Sequence, residues 1–180
     1  MSEIVVQKFG GTSVGTVDRI DSVAEIIKNA SKSNKIVVVV SAMGGETNRL
    51  VDLAKAFGDD PDKREFDALV STGETVSSAL LTMALHSKGV KAKSFSASQI
   101  SMRTTSSYSK AKILDVDAKK ILDVVENDTI PIITGFQGVT EGGDVTTLGR
   151  GGSDTTAVAI AAQIAACLLY TSDAADETGR

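Results

Sequence analysis

The chain has 180 residues, 42% hydrophobic and 23% charged, with 2 Pro, 16 Gly, one Cys and a formal net charge of −4. That composition supports a real core; it excludes collagen-like, coiled-coil and disordered classes, and the acidic balance argues against a nucleic-acid partner. The longest aliphatic block, Ile36–Val40, is far short of the ~18 residues of a membrane span, and Met1-Ser2-Glu3 leads straight into a strand-like run with no signal peptide, so the expectation is a cytoplasmic protein without a membrane partner.

In chain order, Ile4–Phe9 (IVVQKF) is a short apolar run closed by Gly10-Gly11, the pattern of a buried strand. Val17, Ile20, Ala24, Ile27 and Ala30 recur at helical spacing and predict an amphipathic helix over Thr16–Ala30. Ile36–Val40 (IVVVV) is β-branched throughout with no polar alternation, as in parallel strands covered on both faces. Helices are predicted near Asn48–Phe57, from Pro61-Asp62 to about Val70, and over Thr75–His86, Asp117–Asn127 and Ser153–Ala166; strands are predicted over Ala92–Ser96 and Ile130–Thr134. Gln99–Tyr108 is Ser/Thr-rich and reads as a loop, and Gly135–Gly152 is Gly-rich with no strand assigned to it. This alternation predicts an α/β fold, a three-layer α/β/α sandwich around a mainly parallel sheet, with ligands bound outside the carboxyl ends of the strands.

Past the last helix, Cys167–Glu177 (CLLYTSDAADE) has no clear helical stripe and resembles the conceptual translation of a transposase-type sequencing-library adapter. The chain is therefore divided into a domain over 1–166 and a tail over 167–180 that is expected to be non-native and to pack poorly. The single Cys falls in that tail, which removes thiol chemistry from consideration.

Four motifs carry chemistry. Lys8-Phe9-Gly10-Gly11-Thr12-Ser13 places a cation, two glycines and two hydroxyls between a buried strand and a helix, the outline of a phosphate cradle. It is not a Walker loop, since Thr16 stands where that motif needs Lys, nor a dinucleotide loop, since Thr12 occupies its second glycine; double glycines also end strands without any ligand. Ser41-Ala42-Met43-Gly44-Gly45-Glu46-Thr47-Asn48 follows the second strand with small and hydroxyl residues, and reads equally as a helix cap. In Ser71-Thr72-Gly73-Glu74, Glu74 either complements a helix dipole or faces a substrate ammonium. Five of the eleven residues Gly142–Gly152 are glycine, yet Arg150 sits among them just before Ser153 and Asp154; a fork-shaped cation there suits a carboxylate or a phosphate. His86, the only His, lies near a helix end and needs no function.

Together KFGGTS, SAMGGETN, STGE, GFQG and TTLGRGGSD, in this order from about Ile4 to Ala166, resemble the aspartate kinase family, which has the amino-acid kinase fold. The resemblance implies ATP-dependent phosphorylation of the β-carboxylate of L-aspartate to 4-phospho-L-aspartate, the entry to lysine, threonine, methionine and diaminopimelate. It implies Lys8 and Asp154 as catalytic, with Lys8, Gly10, Gly11 and Ser13 facing ATP phosphates. Ser41, Thr47, Glu74, Arg150 and Ser153 would hold aspartate. It implies ATP as cosubstrate, Mg2+ carried with the nucleotide rather than in a metal site of the protein, and an oligomer formed through C-terminal regulatory domains. Family members continue into a second, nucleotide-holding lobe, so this chain is expected to be a truncated form, inactive by itself. Another amino-acid kinase, acting on glutamate or acetylglutamate, and a non-catalytic aspartate-binding module are the alternatives.

Overall fold

Strands β1 (Ile4–Phe9) and β2 (Lys35–Val40) pair in parallel, from Ile4 against Lys35 to Phe9 against Val40. In the computed structural model, which describes residues 3–172, they form the middle of a five-stranded sheet. Its order is β3-β6-β2-β1-β9, where β3 is Ala92–Phe95, β6 is Ile130–Thr134 and β9 is Leu168–Ser172, and every pairing is parallel.

Strand side chains alternate between faces, and here each face has its own core. Val5, Phe9, Val38, Val40 and Ile132 join the core under α1 (Val17–Ala30) and α4 (Thr72–Ser87). Val6, Val37, Val39 and Ile133 join the core under α5 (Ala118–Glu126) and α6 (Gly152–Gln163). Both faces being apolar explains why β2 shows no polar alternation. Cutting a fully buried anchor such as Ile133 to Ala would cost roughly 2–5 kcal/mol. The three-layer parallel architecture expected from the sequence is therefore present.

Helices α2 (Glu46–Lys55) and α3 (Lys63–Val70) begin within two or three residues of their expected starts, whereas α4 begins at Thr72, three residues before Thr75. α3 and α4 run on as a 25-residue helical stretch, Lys63–Ser87, which by length and composition alone could cross a membrane. Half of its most apolar window is buried inside the domain, as in the core helix of a layered fold.

A second sheet lies in segments for which no strand is predicted from the sequence. Its order is β5-β4-β7-β8, formed by Ile113–Asp115, Arg103–Thr104, Gln137–Val139 and Val145–Thr147. Strands of two or three Thr-, Gly- and Gln-containing residues carry no period-two apolar signal. They are specified instead by pairing, such as the antiparallel β7–β8 register of Gln137 with Thr147.

The segment from Cys167 also departs from expectation. Leu168–Ser172 enters the main sheet as β9, paired with Val5–Phe9, and Cys167 N–H donates to Ile4 O at 3.0 Å. A parallel edge needs free backbone groups, and any segment can supply them whatever its origin; Tyr170 and Thr171 are also strand-favouring residue types. The rest of the expected tail, 173–180, lies outside the described residues.

Candidate active site

Because β1 alternates, Phe9 faces α1 and α4 while Lys8 faces α6. Lys8 is 4% exposed, and its ammonium lies 2.9 Å from Asp154 Oδ1, in the first turn of α6. A cleft of about 290 Å3 opens here, at the carboxyl ends of β1 and β2. Its wall includes Lys8, Gly11, Ser41, Thr47, Glu74, Ser153 and Asp154, seven of the ten residues singled out from the sequence.

Local geometry makes room for the cleft. A Cβ on Gly11 would lie 2.9 Å from Ala42 O, so only glycine lets the β1–α1 turn approach the β2–α2 turn this closely. On the opposite side, a Cβ on Gly152 would meet the Phe136 ring at 2.6 Å, and this allows the N-terminus of α6 to settle over the end of β6. Phe136 itself holds φ 69, a left-handed conformation rare for an aromatic residue, and it lines the cleft.

Glu74 is the electrostatically unusual member. It is 3% exposed; Oε1 accepts the Ala42 N–H at 3.2 Å, and Oε2 is buried with no hydrogen-bond partner among the described residues. Burial pushes the carboxyl up from 4.5 to about 7, the Ala42 N–H opposing that shift. Such an oxygen is suited to a cationic hydrogen-bond donor. Ser41 is fixed beside it, its carbonyl accepting the Ser77 hydroxyl at 2.6 Å.

Three of the singled-out residues stand elsewhere. Ser13 is buried and donates to Ser172 O at 3.1 Å, and Gly10 N–H donates to the same oxygen at 2.9 Å. Both are engaged in seating β9 and are not among the residues lining the cleft. Arg150 is exposed on the rim, between the lining residues Gly149 and Gly151, and among the described residues it makes no hydrogen bond or ion pair. His86 is exposed, its Nε2 2.8 Å from Ala92 O, away from the cleft.

Sequence reasoning missed Phe136, whose GFQG motif was noticed without a residue being chosen from it. It also missed Gln137, whose side-chain amide donates to Ser71 O at 2.6 Å and accepts from the Thr134 hydroxyl at 2.8 Å. That side chain ties β7 to the helix start that carries Glu74. A lone buried Gln leaves no periodic trace.

Among the described residues no group of three or more His, Cys, Asp or Glu could hold a metal ion. A nucleotide-borne Mg2+ needs only one or two protein carboxylates, and Asp154, 2.9 Å from the Lys8 ammonium, is an acidic side chain of the cleft wall.

A parallel sheet flanked by helices, with a buried Lys at one strand end and glycine turns around it, defines an α/β domain with a polar cleft at the carboxyl ends of its strands. Residues 3–175 match the profile of the amino acid kinase family, and the chain belongs to that family. Within it, the chain is similar to aspartate kinases. One from Stutzerimonas stutzeri is 54% identical over 171 residues, covering 93% of this chain and 42% of that protein. The crystal structure of aspartate kinase from Synechocystis is 43% identical, with TM-score 0.79, over 93% of this chain and 28% of that one. E. coli aspartokinase III in complex with aspartate and ADP is 28% identical, with TM-score 0.84, over 94% of this chain and 49% of that one. The chain thus spans about 42% of the length of the curated relatives it matches.

Proposed function

We propose that the cleft is the amino-acid side of a phosphotransfer site at which the β-carboxylate of L-aspartate is phosphorylated by ATP, giving 4-phospho-L-aspartate and ADP. The observation that carries the reading is the buried, unpartnered Oε2 of Glu74 in the same cleft as the Lys8–Asp154 pair. One end of the cleft suits an ammonium and the other suits a group that gathers negative charge. The resemblance to aspartate kinases supports the choice of amino acid.

In this reading Glu74 accepts the substrate ammonium, Ser41, Thr47 and Ser153 bond its polar atoms, and Arg150 swings from the rim to fork a carboxylate. A β-carboxylate oxygen attacks the γ-phosphorus; the bond to the ADP oxygen breaks and its electron pair leaves with ADP. An ionised carboxylate needs no general base, so catalysis consists of positioning and charge stabilisation. Lys8 supplies compact positive charge beside the transferring group, and Asp154 holds the Lys8 ammonium in place. Gly11 brings backbone close to the phosphates. Mg2+, when present with the nucleotide, neutralises phosphate charge.

We further propose a cytoplasmic place for this reaction, at the head of lysine, threonine and methionine synthesis, and an oligomeric full-length protein. Residues 167–180 we hold to be foreign to the natural protein; a genomic read across codon 167 that encodes them would overturn this.

Titration calorimetry tests the main reading. L-aspartate is expected to bind, L-glutamate more weakly, and N-acetyl-L-aspartate, which lacks the ammonium, not at all. Equal binding of the acetylated ligand would remove Glu74 from its role. In-line restraint of both partners is worth roughly 7–11 kcal/mol of barrier, and much of the relatives' length lies outside this chain. The chain alone is therefore expected to release no ADP above background, and aspartate-dependent release abolished by Lys8→Ala would show that it holds the nucleotide unaided.

A further inference from the structure

A second buried carboxylate lies outside the cleft. Asp67, on α3, is completely buried. Its Oδ2 accepts the backbone N–H groups of Ser109 and Thr147, both at 2.8 Å. Its Oδ1 accepts the hydroxyls of the same two residues, both at 2.9 Å. Two oxygens offer about four lone-pair positions, and two separate chain segments fill all four.

Both segments lead to the rim of the cleft. Thr147 ends β8, three residues before Arg150. Ser109 holds φ 64, a conformation its two bonds to Asp67 help to impose, and its carbonyl abuts Gly149: a Cβ there would meet Ser109 O at 3.3 Å. Ala111 N–H closes the arrangement by donating to Thr147 O at 3.0 Å. Beyond these anchors the loop turns through Gly149 at φ 85 and Gly151 at φ 67, with Arg150 between them.

We propose that Asp67 is a positioning residue for the substrate-carboxylate arm of the cleft: it registers the stem of the β8–α6 loop so that Arg150 is presented over the site. The proposal rests on the reading of the cleft given above. Asp67 touches no ligand and acts only through Arg150. A carboxylate whose sole work was to fill the core would loosen the whole domain when removed. One that positions a loop loosens that loop and lowers affinity only while Arg150 is present.

Two measurements on the 180-residue chain decide it. In hydrogen exchange, Asp67→Ala is expected to speed exchange at least tenfold over residues 105–111 and 145–152 while leaving 41–47 unchanged. Asp67→Asn should restore protection, because its oxygen can take the two N–H groups and its NH2 can donate to the two hydroxyls. If Asp67→Ala does not fold, Thr147→Val removes one hydroxyl and should speed exchange in the same two segments, less strongly. A uniform rise across the sheet, or no rise at 145–152, overturns the proposal. In titrations with L-aspartate, Asp67→Ala and Arg150→Ala are each expected to weaken binding at least tenfold, and the double variant no further than Arg150→Ala alone; additive losses would mean that Asp67 acts independently of Arg150. Failure of the unsubstituted chain to bind L-aspartate would count against the proposed function, and the exchange experiment would still decide Asp67.

Discussion

Among the described residues, three helices begin on a side-chain cap and three do not. Thr16, Asp62 and Asp117 accept the N–H of Arg19, Glu65 and Lys120 at the starts of α1, α3 and α5. The helices α2, α4 and α6 begin at Gly45, Ser71 and Gly151 with no side-chain cap bond, and these are the helices that bring Thr47, Glu74 and Asp154 to the cleft. Where the chain only has to start a helix, a side chain satisfies the first amides. α4 continues the helical stretch begun by α3; at α2 and α6, which open on the cleft, no side chain takes the remaining first-turn amides, and a helix N-terminus left open favours an anion. Glu74 adds a buried acid to this otherwise anion-seeking edge, so the site suits a zwitterion better than a simple phosphate.

The sharpest way to break the contrast is Glu74→Gln. A carboxyl raised from 4.5 to about 7 by burial keeps its proton in the folded state when the unfolded chain has lost it. Folded stability contributed here is therefore greatest at low pH and falls as pH rises through that window. Removing the charge should stabilise the domain at pH 8 by an amount of order 3 kcal/mol relative to pH 4, read by denaturant titration. It should at the same time cost about 2–5 kcal/mol of L-aspartate affinity. For the unsubstituted chain, L-aspartate affinity should rise about tenfold between pH 6 and pH 8 as Glu74 ionises. A Gln variant that changes neither stability nor affinity would make Glu74 an ordinary helix-end acid.

Arg150→Lys comes next in size. It keeps the charge but loses the planar fork, and a lost charged hydrogen bond is worth about 1.5–3 kcal/mol. The loss should appear in calorimetric affinity for L-aspartate with an unchanged melting temperature, since Arg150 is exposed and bonded to nothing among the described residues. A melting temperature that falls with no change in affinity would move Arg150 out of the site.

How much was readable beforehand follows the same division. β1, β2, β6 and the amphipathic α1 and α5 were legible because burial on one or both faces writes a period into the residues. Lys8, Ser41, Thr47, Glu74 and Asp154 were legible because chemistry-bearing residues stood beside glycines at strand and helix ends. The small sheet was not, since its two- and three-residue strands are held by pairing and by Asp67, a contact 80 residues distant from Thr147. The bonds of Ser13 and Gly10 to Ser172 were not legible for a related reason: Ser172 lies in a segment excluded from the fold on grounds of origin, and origin has no bearing on whether a backbone can pair.

At the capped helices the effects should be smaller and confined to stability. Asp117→Ala removes the side-chain acceptor at the start of α5, which packs on the other face of the main sheet from α4, and should cost about 1 kcal/mol in denaturant titration. L-aspartate affinity should not change. A ligand effect from Asp117 would mean that capped and open helix ends are coupled, and the contrast between them would lose its functional meaning.

The smallest expected effect is the reverse experiment, giving an open helix end a cap. Gly151 holds φ 67 with nothing within 4 Å of a built Cβ, and Asn tolerates that conformation better than other side chains. Gly151→Asn should therefore fold normally and change stability by only a few tenths of a kcal/mol. Its side-chain oxygen would compete for the free amides at the start of α6, beside Ser153 and Asp154. One hydrogen bond withdrawn from a ligand is worth about 0.5–1.5 kcal/mol, so L-aspartate affinity should fall several-fold. Affinity unaltered by Gly151→Asn would show that the amides of α6 are not where the ligand binds, and would leave Lys8 and Arg150 as its anion partners.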